Sequence, residues 1–118
     1  MRRPPAAEPE LQLYQMQAEI AKALAHPIRL RILALIVSRE VPYGALLEGI
    51  GISKTNLSQH LAILRRSAVL AVRREGRHIH YRLTHPEIHD LCRSMRGILA
   101  KRLATTGRQA RVLLRRIG

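Results

Sequence analysis

From Gly49 to Arg74 the chain carries no acidic residue, and the middle of that stretch reads Ser53, Lys54, Thr55, Asn56, Leu57, Ser58, Gln59, His60. Leu57, Leu61 and Leu64 recur at helical spacing on one stripe, so the spacing directs the polar residues between them away from it. Hydroxyl, amide, ammonium and imidazole groups of this kind bond base edges and phosphate oxygens. A helix that meets only water usually mixes Glu with Lys, and this one does not. The chemistry that suits the pattern is the reading of double-stranded DNA through its major groove, weighed against an ordinary polar solvent face.

Two further groups of residues invite a chemical reading. Arg73, Arg74 and Arg77, with His78 beside them, surround a Glu75-Gly76 turn between two alternating segments, and a basic hairpin tip grips phosphate or probes the minor groove. Further on, His85, His89 and Cys92 are spaced by four and then three, with Glu87 nearby, which permits a borderline-soft metal ion if a partner chain supplies a fourth ligand. Against that, Cys92 shares an apolar stripe with Leu91 and Met95, where a free cysteine ordinarily serves as a small hydrophobe. A redox role for Cys92 is a separate candidate: with no second cysteine, it requires its symmetry mate or a small-molecule adduct, and Arg93 and Arg96 would favour its thiolate if it were exposed.

These residues need a scaffold, and the apolar spacing supplies one. Residues 1–9 hold three prolines and no periodicity, and read as a flexible arm in which Arg2 and Arg3 are possible DNA contacts. Leu11, Leu13, Met16, Ile20, Ala23 and Leu24 predict a helix from Glu10 to about Ala25, ended by His26-Pro27. Ile28 to about Val37 is apolar on too many sides for a single stripe and predicts a buried helix edged by Arg29 and Arg31. After a loop at residues 38–42, Leu46, Leu47 and Ile50 predict a short helix; Gly51 breaks it and Ser53 caps the next, giving helix, tight turn, helix.

The alternating segments at residues 68–74 and 77–83 predict a hairpin. From His85-Pro86 a long helix follows with Ile88, Leu91, Cys92, Met95, Ile98, Leu99 and Leu103 on one face. A small domain has room for only part of that surface, so the first and last helices are expected to bury their stripes in a homodimer. The resulting division is an arm at 1–9, one domain at 10–105 and a basic extension at 106–118 that either continues the helix, covers the dimer or frays.

Bulk composition agrees with a nucleic-acid partner. The 118 residues carry 21 Lys and Arg against 8 Asp and Glu, a net charge of +13 that attracts polyanions. The aromatic residues are three tyrosines, too few for the stacking platforms that bind single strands. No apolar run approaches the roughly 20 residues that span a bilayer, and no signal peptide is visible, so a cytoplasmic, membrane-free protein is expected. One cysteine excludes a disulfide within the chain. No nucleotide-binding fingerprint or catalytic constellation stands out, and no enzymatic activity is expected.

The runs KALAHPIRLRILALI, LLEGIGISKTNLSQHLAILRRSAVL and VRREGRHIHYRL resemble the ArsR/SmtB family of dimeric winged helix-turn-helix repressors over residues 22–83. The resemblance implies a mainly helical fold with a small β-hairpin, residues 53–64 as recognition helix and residues 73–80 as wing tip. It also implies a sequence-specific DNA-binding regulator on palindromic operators, released by an effector that the residues do not name. Phosphate contacts are expected from Arg29, Arg31, Arg65, Arg66, Arg73, Arg74 and Arg77.

The family's two usual metal sites do not survive here. Pro42, Tyr43, Gly44 and Ala45 stand where its Cys-Val-Cys-Asp ligands would, and in its C-terminal helical site Ile98 and Lys101 replace the second pair. No cofactor is therefore expected beyond the candidate set His85, Glu87, His89 and Cys92. A non-specific architectural DNA binder is the alternative function.

Overall fold

The computed structural model describes residues 7–117. Six helices and three strands follow in order: α1 (Ala7–Leu24), α2 (Pro27–Leu35), β1 (Val41–Pro42), α3 (Tyr43–Ile50), α4 (Lys54–Arg66), β2 (Leu70–Glu75), β3 (His78–Leu83), α5 (Glu87–Leu103) and α6 (Arg108–Ile117).

The helix ends are set by identifiable side chains. His26 caps α2, its Nδ1 accepting from the Ile28 N–H at 3.1 Å, while Pro27 occupies the first turn, where a missing N–H costs nothing. Gly51, at φ +75°, closes α3 in the left-handed region, which glycine enters without a Cβ penalty. Two residues later the Ser53 Oγ accepts from the Asn56 N–H at 3.1 Å and opens α4. Beyond Ser67 the chain turns through Ala68 at φ +57°, and the Val69 N–H reaches back to the Leu64 carbonyl at 2.9 Å. The chain thus leaves α4 directly into β2.

β2 and β3 pair antiparallel from Leu70↔Leu83 to Glu75↔His78, leaving Gly76 and Arg77 as the turn, with Gly76 at φ +60°. β1 adds to the other side of β3 through Val41↔Tyr81 and Pro42↔His80, so the sheet order is β1-β3-β2. Residues 41–42 thus leave the expected 38–42 loop to form a strand, which ties the hairpin to the start of α3.

Side chains of α2, α3 and α4 meet the hairpin in one aliphatic core. Ile32, Leu33, Ile36, Leu46, Leu57, Leu61, Leu64 and Val69 are fully buried, with Tyr81 closing one side. The stripe on α4 is therefore what fixes its outward face. In contrast, α5 buries none of its residues completely, although Ile88 and Cys92 pack against the core. Leu13, Tyr14, Met16 and Ile20 on α1, and Leu91, Met95, Ile98 and Leu99 on α5, are exposed. The radius of gyration is 17.5 Å, against about 13–14 Å for a compact chain of this length. Beyond Ala23 and Leu24 on α1 and Ile88 and Cys92 on α5, which reach the core, the two helices leave apolar sides bare.

The N-terminal end differs from the sequence-based division. α1 already includes residues 7–9, assigned above to the arm, because Pro9 falls in a first turn whose N–H groups need no helical partner. Arg2 and Arg3 lie outside the described residues. At the other end α5 stops near Ala104, where the Thr105 and Thr106 hydroxyls donate to the Arg102 and Leu103 carbonyls. α6 follows as a separate helix, so the extension does not continue α5. Its Ala110 is buried and its Leu114 half-buried, while Val112 and Leu113 are exposed.

Candidate nucleic-acid interface

The buried stripe Leu57, Leu61 and Leu64 holds α4 against the core, and Ser53, Lys54, Thr55, Asn56, Ser58 and Gln59 are all exposed. Lys54, Thr55, Ser58, Gln59 and Ala62 line a shallow open groove along the helix. Tyr43 at the start of α3 joins this face, its hydroxyl 3.5 Å from the Ser58 Oγ. The sequence reading missed Tyr43; only the fold brings α3's first residue beside the middle of α4.

His60 departs from the expected outward row. It is half-buried, its ring centroid lies 4.4 Å from that of His26, and its Nδ1 is inaccessible and without a partner. Position 60 falls beside the Leu57–Leu61 stripe, and its ring meets the N-cap of α2 there. Burial, followed by the nearby His26 and Arg29, holds its pKa below the ordinary histidine value of 6.5. The unfolded chain then binds the proton more readily, so this residue's contribution to stability is present above pH 6.5 and is lost as the pH falls below it. Urea unfolding is expected to show a falling midpoint between pH 7.5 and 5.5, and His60→Gln is expected to flatten that slope. Parallel slopes for the two proteins would remove His60 from the account.

The wing carries exposed Arg74, Arg77 and His78, with Arg77 in the turn itself. Arg73 is different. Its guanidinium binds Glu40 at 3.0 Å and Glu75 at 2.7 Å, and each pairing holds the carboxyl below the usual range. Two acids thus already satisfy the arginine expected to grip phosphate. Arg65 and Arg66 are exposed at the end of α4. Arg31 donates to the Gly49 carbonyl at 3.2 Å, and Arg29 is half-buried with no partner for its Nε.

The His85, Glu87, His89 and Cys92 set does not assemble. Among the described residues no three His, Cys, Asp or Glu side chains come together in a way that would hold a metal. His85 lies 3.1 Å from the Thr84 hydroxyl through its Nδ1, while His89 faces a groove with Val37, Glu40 and Arg82. Cys92 leans on the core, and burial pushes its thiol up, outweighing the opposing pull of Arg96. That direction is opposite to the one a reactive thiolate needs. No helix among the described residues is long and apolar enough to cross a membrane.

A helix-turn-helix domain family model matches residues 24–73, the span from the end of α1 into β2. The HTH-type transcriptional regulator Rv0081 of Mycobacterium tuberculosis is 44% identical over 93 residues, covering 78% of this chain and 82% of the relative. The chain belongs to the ArsR/SmtB family of winged helix-turn-helix regulators. The biofilm growth-associated repressor of Xylella fastidiosa is 37% identical over 78 residues, covering 66% of this chain and 68% of its own.

Solved structures agree with that ArsR/SmtB assignment. The crystal structure of Rv0081 superposes with a TM-score of 0.71, covering 78% of this chain and 93% of that one. The solution structure of the homodimeric winged helix-turn-helix DNA-binding domain of Mb0332 from Mycobacterium bovis, described as a possible ArsR-family regulator, gives 0.73 at 26% identity, covering 84% and 92%.

Proposed function

We propose that this protein is a homodimeric, sequence-specific DNA-binding transcriptional regulator that represses by occupying palindromic operators. The observation that carries this reading is the acid-free polar face of α4, held outward by three buried leucines beside a basic hairpin. Two such helices, related by a twofold axis through α1 and α5, meet successive major grooves about 34 Å apart. Lys54, Thr55, Asn56, Ser58 and Gln59 supply base-edge and phosphate contacts. Arg65, Arg66, Arg74, Arg77 and His78 hold the backbone, with Arg73 contributing less because it is already paired. His60 supports α4 from below.

The test compares two variants on the operator and on random duplex. Gln59→Ala is expected to relax preference at one base position by about 1–3 kcal/mol. Arg77→Ala is expected to weaken binding to every duplex alike and to reduce the salt slope by about one. Equal losses on all sequences for both variants would favour a non-specific architectural binder.

A further inference from the structure

Most of the chain's net charge lies outside the helix-turn-helix. Residues 91–118 hold eight of the 21 Lys and Arg and none of the eight acids, so they supply +8 of the net +13. The last acid, Asp90, stands in the first turn of α5. Seven of those eight cations are arginines, whose fixed fork of donors matches phosphate oxygens two at a time. The α4 face and the wing use none of them.

α6 gathers part of this charge on one side. It packs against α5, with Ala110 buried and Leu114 half-buried. At 3.6 residues per turn, Arg111, Arg115 and Arg116 fall about 100–140° around the helix from Ala110, and all three are exposed. Among the described residues the ion pairs form only at Arg73, so no carboxylate holds these guanidinium groups. Arg111 and Arg115, four positions apart, are neighbours on the helix surface, where like charges destabilise unless an anion covers them. The helix dipole favours the cations of the last turn, Arg115 and Arg116, but it would equally favour acids in the first turn, and α6 has none. The arrangement suits a polyanion better than it suits the helix alone.

We propose that the arginine side of α6 is a second DNA contact, separate from α4 and the wing, that holds the sugar-phosphate backbone of a duplex without reading its bases. The exposed polar side chains described on α6 are all arginines, and a single kind of donor fits a uniform backbone. An anionic bilayer fits less well. Ala110 and Leu114, which a bilayer would take, are covered or half-covered by the chain itself, and Val112 and Leu113 alone are a small apolar surface to bury in lipid. The contact adds affinity for every sequence and leaves discrimination to α4. The choice of DNA as the polyanion rests on the function proposed above; the charge and its exposure do not.

The experiment measures binding of the full chain to operator and to random duplex over a range of salt concentrations. Arg111→Gln, Arg115→Gln and Arg116→Gln combined are expected to make the plot of log affinity against log salt shallower by at least about two on both duplexes, and to lower affinity at low salt at least about tenfold. The ratio of operator to random affinity is expected to stay within about threefold of the unaltered protein's. Lysine at the same three positions keeps the charge and is expected to restore the slope. Lys22→Gln, Arg39→Gln and Arg82→Gln combined remove as much charge from exposed positions outside both surfaces, and are expected to change the slope by less than about one. An unchanged slope in the α6 variant, or an equal change in the Lys22, Arg39 and Arg82 variant, would overturn the proposal. So would binding to phosphatidylserine vesicles that the α6 variant loses while its duplex binding is intact. A protein that binds operator and random duplex alike, with the slope lowered as expected, would overturn the regulator reading and leave this one standing; base discrimination with an unchanged slope would do the reverse.

Discussion

Leu13→Glu combined with Ile98→Glu is expected to give a folded monomer whose operator affinity is lower by at least about 100-fold, since the two half-sites no longer bind as one linked unit. Leu13 is 66% exposed and Ile98 60% exposed in the single chain, so neither contributes to the core and the helical circular dichroism should persist. Their environment is different in a dimer. Each lies on an apolar stripe that a single copy leaves in water, and a contiguous exposed apolar surface of this kind marks an interaction face. A carboxylate placed there would be desolvated without a partner. Light scattering after size exclusion reads the mass, and gel shift on a palindromic duplex reads the affinity. A dimer that persists with full operator binding would move the contact away from α1 and α5.

Leu61→Ala is expected to destabilise the fold by about 2–5 kcal/mol, from lost burial and the cavity left behind. Set against a typical total of about 5–15 kcal/mol, that is a large fraction. Leu61 is 2% exposed and sits between Leu57 and Leu64 on the stripe that seats α4. Loosening it also releases the orientation of Lys54 to Gln59, so operator affinity should fall in step with stability. Thr55→Ala, nearly two turns earlier on the exposed side, is expected to change stability by no more than about 0.5 kcal/mol while lowering DNA affinity. Urea denaturation separates the two. Similar unfolding midpoints for both variants would mean that the leucine stripe does not anchor the helix.

The match between residues and elements was close wherever local chemistry decides. Ser53 caps α4 and Gly51 ends α3 because a serine oxygen accepts an orphan N–H and a glycine enters the left-handed region freely. The hairpin follows from alternation, and α5 from its three- and four-residue steps. Where chain segments distant in sequence meet, residue order was a poor guide. Val41–Pro42 is too short to show a strand period, and it becomes one only because Tyr81 and His80 offer an open edge. Glu40 lies 33 residues from Arg73, and no spacing pairs them. His60 belongs by sequence to the polar row of α4, yet the N-cap of α2 meets it there and covers its ring.

By itself the amino-acid sequence determined the helix-turn-helix, the hairpin beside it and the polar, acid-free side of α4. Caps, turns and hydrophobic period act over a few residues, and one sequence specifies them. The tertiary structure alone decided which of those polar residues stay in water, which arginine is already neutralised and that the Arg29 Nε and His60 Nδ1 are buried without a partner. Those outcomes depend on close packing between α1, α2, α4 and the sheet, where a side chain's surroundings come from segments tens of residues away.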